Sequence, residues 1–159
     1  MKIVNRLIKI LKDKELKLAL AESVTCGLAS YNMDECSGTS EVFSGSIVCY
    51  NQEVKTGLLG IKEELIEKFT AESQDVTDAM AKSLSKLISA DVFAAITGLS
   101  SSGGSESPEK PVGTIFLSVY FQKKLYQRRS VFKGDSESIV QQACAALFDF
   151  IADTIEKPS

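Results

Sequence analysis

The chain has 159 residues, 44% of them apolar, a formal net charge of −3 and no histidine. That apolar content is enough to build a core of ordinary domain size, and the slightly acidic balance gives no reason to expect nucleic acid or an anionic membrane surface as a partner. Without histidine, a Ser-His-Asp triad and a histidine metal site are both excluded, so any serine chemistry needs another base.

Residues 4–11 carry Leu7, Ile8, Ile10 and Leu11 at helical spacing. Residues 1–12 lack the continuous apolar core and small-residue cleavage site of a signal peptide, and no window is long and apolar enough to span a bilayer. A cytoplasmic location is the expectation. Residues 16–21 predict a first central strand, and residues 27–33 a helix that breaks near Cys36–Gly38. Residues 44–50 predict a second strand, after which Asn51 caps a helix over 52–59 that Gly60 ends. Helices follow over 62–69 and 73–89, the second with Val76, Met80, Leu84 and Leu87 on one face. Residues 92–96 are apolar throughout and predict a strand covered on both faces.

Residues 97–113 form a long polar loop rich in Gly and Ser, a kind of segment that is often functional or disordered. Residues 114–121 and 124–133 predict an antiparallel pair, and residues 139–155 a final helix with Asp135 or Ser136 near its cap. The expected fold class is α/β, a three-layer α/β/α sandwich around a mixed, mostly parallel sheet. No pair among Cys26, Cys36, Cys49 and Cys144 has C-x-x-C spacing, and Cys49 and Cys144 read as buried free thiols.

The expected strands end in polar groups: Glu22-Ser23, Tyr50-Asn51 and Thr97-Gly98. If these strands run parallel, the three ends share one rim, where open α/β sheets bind ligands. Ser23 then stands where a nucleophile can sit, and the backbone of Thr25, Cys26 and Gly27 can bind an oxyanion. Lys55 falls in the first turn or so of the helix after Tyr50. The helix dipole and desolvation both push a lysine there toward the neutral amine that a general base must be. A solvated surface lysine is the competing reading. Tyr50 either relays a proton or packs its ring. The Gly103-Gly104 pair can cradle a phosphate through its amides or serve as a flexible connector.

Taken together, these residues resemble the CinA C-terminal domain family. Ala21-Glu22-Ser23-Val24-Thr25-Cys26-Gly27 is similar to that family's Ala-Glu-Ser-Cys-Thr-Gly-Gly segment. The likeness continues through Gly38-Thr39-Ser40, Phe43-Ser44-Gly45, Tyr50-Asn51 with Glu53 and Lys55, and Leu58-Leu59-Gly60. It resumes at Thr97-Gly98, Glu109-Lys110-Pro111-Val112-Gly113-Thr114 and Phe132-Lys133-Gly134-Asp135. The resemblance implies one domain over residues 1–159, in the stand-alone form without the family's molybdopterin-binding-like domain, and often a homodimer. It implies hydrolysis of the carboxamide of nicotinamide mononucleotide to nicotinate mononucleotide and ammonia, with no metal or redox cofactor. Ser23, Tyr50, Lys55 and Thr97 would be the catalytic set, with Lys55 taking the Ser23 proton and Thr97 near the oxyanion. Glu22, Thr25, Cys26, Gly27, Asn51, Gly98, Gly103, Gly104 and Lys110 would surround the substrate.

The chain departs from the family pattern at several places. Val24 replaces a Cys, and Cys26 replaces a Gly. If that Gly uses a positive φ, a Cβ there is costly. Cys26 is also an alternative nucleophile. Leu99-Ser100-Ser101-Ser102 replaces Ile-Ala-Gly-Pro, and Ser136, Val140 and Gln141 stand where arginines are expected. A phosphate wants a guanidinium or several amides. Three readings follow. One is an amidase whose phosphate site is rebuilt from Arg128, Arg129, Lys110 or Lys133. Another is an amidase for a less charged amide. The third is a domain that binds a ligand or partner without turnover.

Overall fold

A computed structural model describes residues 2–157. Met1, Pro158 and Ser159, at the ends of the expected 1–159 domain, lie outside the described residues. The chain runs α1 (Lys2–Asp13), β1 (Leu18–Glu22), α2 (Leu28–Asp34), α3 (Thr39–Val42), β2 (Phe43–Val48), α4 (Gln52–Gly57), α5 (Glu63–Phe69), α6 (Gln74–Leu84), β3 (Val92–Gly98), β4 (Thr114–Phe121), β5 (Lys124–Val131) and α7 (Ser136–Glu156).

The five strands make one sheet in the order β2-β1-β3-β4-β5. β2, β1 and β3 are parallel neighbours, whereas β4 is antiparallel to β3 and β5 to β4. The sheet is therefore mixed. The chain leaves β1 for one neighbour, β2, and returns to the other, β3. This reversal makes a switch point at the carboxyl end of β1, where such sheets hold ligands.

Alternation along β1 divides the core. Leu18 and Leu20 pack on the face that α1, α2 and α7 cover, with Leu7, Leu11, Met33, Leu147 and Ile151. Ala19 and Ala21 face the other layer, where Val76, Met80 and Leu84 of α6 pack with Ile66 and Leu59. Small side chains on that face let α6 approach closely. Burying one large apolar side chain stabilises by about 1.5–3 kcal/mol, so both layers carry much of the fold's stability. No described helix is long and apolar enough to cross a membrane.

Several boundaries differ from the sequence expectation, among them β2, which ends at Val48 before Tyr50, and α7, which starts at Ser136 rather than near 139. Helix α3 spans only 4 residues and follows Gly38 at φ 89°, too few for periodicity to register. Helix α6 ends at Leu84 rather than near 89, because the chain turns at Ser85, whose hydroxyl donates to the Lys82 carbonyl.

Candidate active site

Register brings the three polar strand ends together. Glu22 pairs with Val48 on one side and Ile96 on the other. The pairing continues a step further, with Cys49 N donating to Glu22 O at 2.7 Å and Ser23 N to Ile96 O at 3.1 Å. Ser23 thus leaves the sheet between two flanking strands, at a fixed height on the rim.

Lys55 reaches that point from α4. Asn51 caps the helix through Glu53 N at 2.9 Å. Lys55 and Leu59, four residues apart, turn inward while Gln52, Glu53 and Leu58 stay exposed. Lys55 is 2% exposed. Its Nζ lies 2.9 Å from Ser23 Oγ, 2.8 Å from Cys49 O and 3.3 Å from Tyr50 O. An ammonium donates to all three. A neutral amine donates its two N–H groups to the carbonyls and turns its lone pair to the Ser23 hydroxyl. The same three partners serve both protonation states, so a proton can pass from Ser23 without heavy-atom rearrangement. Burial pushes the Lys55 ammonium below its usual range, against smaller opposing effects of Cys49 and the Glu72 carboxylate. The Cys49 thiol beside it is pushed up to about 11 by burial.

Above the pair lies a cleft of about 290 Å³, lined by Ser23, Val24, Tyr50, Glu72 and the run from Gly98 to Gly104. Gly98 is required there, because a Cβ would stand 2.6 Å from Thr114 O of the adjacent strand. The loop after β3 is ordered by its own contacts. Leu99 pairs with Thr114 O and Gly113, and Lys110 Nζ donates to Thr70 Oγ1, Glu72 O and Ser105 Oγ. Ser105 in turn donates to Glu72 Oε2.

Several residues expected at the substrate have other tasks. Glu22 is fully buried. Its carboxylate accepts from Thr25 Oγ1, Gly27 N, Ala29 N, Ser30 N and Ser30 Oγ. It closes the N-terminus of α2 from within and cannot face a ligand. Gly27 N is consumed in this way, and Cys26 N donates to Ser23 O. Of the backbone amides expected to hold an oxyanion, that of Thr25 has no acceptor among the described residues, and neither has that of its neighbour Val24. The Thr25 side chain is buried on Glu22.

Thr97 is fully buried on the α6 side of the sheet, where it shares a 2.8 Å hydrogen bond with Thr77 Oγ1, and it does not line the cleft. Tyr50 is 70% exposed at the cleft rim, and it is its carbonyl rather than its phenol that meets Lys55. Asn51 is a helix cap. Gly103 and Gly104 line the cleft, but their amides donate to the Glu106 carboxylate at 2.8 Å each. Lys110 sits behind the wall with its three donors filled. Cys26 is exposed at φ 47° and does not line the cleft.

Glu72 carries no signal in the sequence, and Val24 is marked there only as the replacement of a Cys. Glu72 lies in the short α5–α6 connection, where no motif marks a carboxylate as turned toward a distant strand end. Cys36, Cys49 and Cys144 are buried free thiols.

An α/β sheet with a buried serine–lysine pair at its switch point defines the class of this protein. A sequence model of the CinA C-terminal domain matches residues 1–155, and the chain belongs to that family. It is 36% identical over 132 residues to a CinA-like protein of Thermotoga sp. (strain RQ2), covering 83% of this chain and 32% of that protein. It is 36% identical over 152 residues to a CinA-like protein of Petrotoga mobilis, covering 95% of this chain and 37% of that one. The chain thus spans about a third of the length of these curated relatives. Among solved structures, a competence or damage-inducible protein from Enterobacter asburiae superposes with TM-score 0.91 at 27% identity, covering 96% of each chain. A competence damage-inducible protein A from Klebsiella pneumoniae gives TM-score 0.94 at 22% identity over 99% of this chain and 98% of that one. At that identity the second likeness speaks for the fold alone.

Proposed function

We propose that this chain is a serine–lysine amidohydrolase that cleaves a small carboxamide. Nicotinamide mononucleotide is the reference compound, because the family resemblance implies it. The observation that carries the reading is the 2.9 Å approach of Lys55 Nζ to Ser23 Oγ at the floor of a cleft.

In this mechanism neutral Lys55 takes the Ser23 proton as Oγ attacks the amide carbon. The amides of Val24 and Thr25, which have no acceptor among the described residues, are donors available to the oxyanion, and each such donor is worth about 10²–10³ in rate. Lys55 returns the proton to the leaving nitrogen and ammonia departs, leaving an ester on Ser23. Water, deprotonated by Lys55, attacks that ester. The carboxylate product leaves and Ser23 regains its proton. The cycle consumes one water and one amide and yields one carboxylic acid and one ammonia.

The test is ammonia release from nicotinamide mononucleotide by the wild-type chain and by Ser23→Ala and Lys55→Met. Loss of general acid–base help costs about 10²–10⁴ in rate. Turnover by the wild type that falls to background in both variants supports the reading. Turnover in either variant within about tenfold of wild type removes it.

A further inference from the structure

Selection of a cationic ligand needs an anion that is held in place and not already neutralised where the ligand lies. Among the described residues lining the cleft above Ser23, Glu72 alone carries a formal charge. Ser100, Ser101 and Ser102 bring hydroxyls to the same wall. A hydroxyl donates or accepts as required and selects no sign of charge.

The Glu72 carboxylate is anchored on one side and open on the other. Ser105 Oγ donates to Oε2. Lys110 Nζ donates to Ser105 Oγ at 2.7 Å and to the Glu72 carbonyl at 2.9 Å. One ammonium thus fixes both the backbone of Glu72 and the hydroxyl that holds its side chain. Oε1 has no hydrogen-bond partner among the described residues, and none of their ion pairs includes Glu72. The arginines of β5 are engaged elsewhere, Arg128 with Asp149 and Asp153 of α7 and Arg129 with the Glu109 carbonyl. The Glu72 charge acts at the reacting end of the cleft, because it favours the ammonium form of Lys55. Once Lys55 is the neutral amine that the mechanism requires, Glu72 is the uncompensated charge of the cleft.

We infer that Glu72 is a specificity-determining residue that pairs with a ring cation of the substrate, so the cleft takes a carboxamide borne on a pyridinium ring in preference to the same carboxamide on an uncharged ring. An uncharged ring over Oε1 strips water from a carboxylate and returns nothing, whereas a cation replaces that water with an ion pair. In a nicotinamide the charged nitrogen is meta to the carboxamide, so a carbonyl placed at Ser23 keeps the cation within the same small cleft. The inference rests on the amidase reading for the carboxamide, and the charge selection is measured without turnover.

Nicotinamide mononucleotide and its 1,4-dihydro form share the carboxamide, ribose and phosphate and differ by one hydride, which removes the ring charge. Calorimetric titration of the Ser23→Ala chain with each compound reads the selection directly. The oxidised form binds at least about tenfold more tightly than the dihydro form. Adding Glu72→Gln, which keeps the shape and drops the charge, brings the two within about threefold of each other by weakening the oxidised form. Equal binding of the two forms by the Ser23→Ala chain overturns the inference, as does an unchanged preference in Glu72→Gln or no binding of the oxidised form. The expected ratios, with no ammonia from either compound in the wild type, uphold the selection and overturn the amidase reading instead. Ammonia release that needs Ser23, with equal binding of the two forms, does the reverse.

Discussion

Replacing Glu22 by glutamine probes how the turn that carries Ser23 is held. Oε2 accepts from Thr25 Oγ1 at 2.7 Å and from Gly27 N and Ala29 N at 3.0 Å, while Oε1 accepts from Ser30 N at 2.9 Å and from Ser30 Oγ. The amide oxygen can keep the three donors of Oε2. Its NH2 group then faces the Ser30 N–H, and only the Ser30 hydroxyl can turn round to accept. One hydrogen bond to a charged group is lost, worth about 1.5–3 kcal/mol, and one buried amide is orphaned at about 1–3 kcal/mol. Part of that is recovered by relaxation, so the net cost is about 2–4 kcal/mol. For a chain of this size that lowers Tm by roughly 5–15 °C. The distortion starts one residue from Ser23, and a misplacement of about 1 Å can cost on the order of 10² in rate. Thermal melts with a parallel ammonia assay give both numbers. A Glu22→Gln chain that melts within about 2 °C of wild type yet has lost activity would refute this reasoning, because Glu22 would then be acting on the substrate rather than on the turn.

Glu72→Gln removes an anion that favours the charged form of Lys55, so the acidic limb of the kcat/KM profile moves to lower pH, and a limb that stays or moves up contradicts the assignment. Because burial depresses the Lys55 pKa from 10.5, the unfolded chain binds more protons between the folded value and 10.5. Wild type therefore gains stability relative to Lys55→Met as pH rises through that window. Urea titrations of both proteins at several pH values read the trend, and a flat or falling difference counts against a depressed lysine. Cys26→Gly relieves a left-handed backbone at φ 47° and raises stability by about 0.5–1 kcal/mol after the entropy of glycine is counted. A lower Tm would show that the Cys26 side chain contributes more than the strain costs.

How much of this was readable beforehand varies by residue. Three apolar strands ending in Glu22-Ser23, Tyr50-Asn51 and Thr97-Gly98 put the rim in view, since strand ends follow from hydrophobic runs alone. The inward turn of Lys55 was only half legible. Its place four residues before Leu59 sets it on a buried face, yet most lysines avoid such a face. What Glu22 does was not legible, because a carboxylate beside a nucleophile reads equally well as a substrate ligand or as a cap, and only the path of residues 25–30 around it decides. Thr97 adjoins Gly98 at the cleft, but its hydroxyl is taken by Thr77 of α6, a partner that only the packing of that helix reveals. The Gly103-Gly104 amides are satisfied by a residue two or three positions later, a local choice between Glu106 and an outside anion that composition does not show.

The direct test of the central claim is mass spectrometry after labelling with a fluorophosphonate, which reacts with activated serines. The account predicts a single adduct on Ser23 in wild type and none in Lys55→Met. An adduct on another residue such as Cys26, or Ser23 labelling that persists without Lys55, would contradict it.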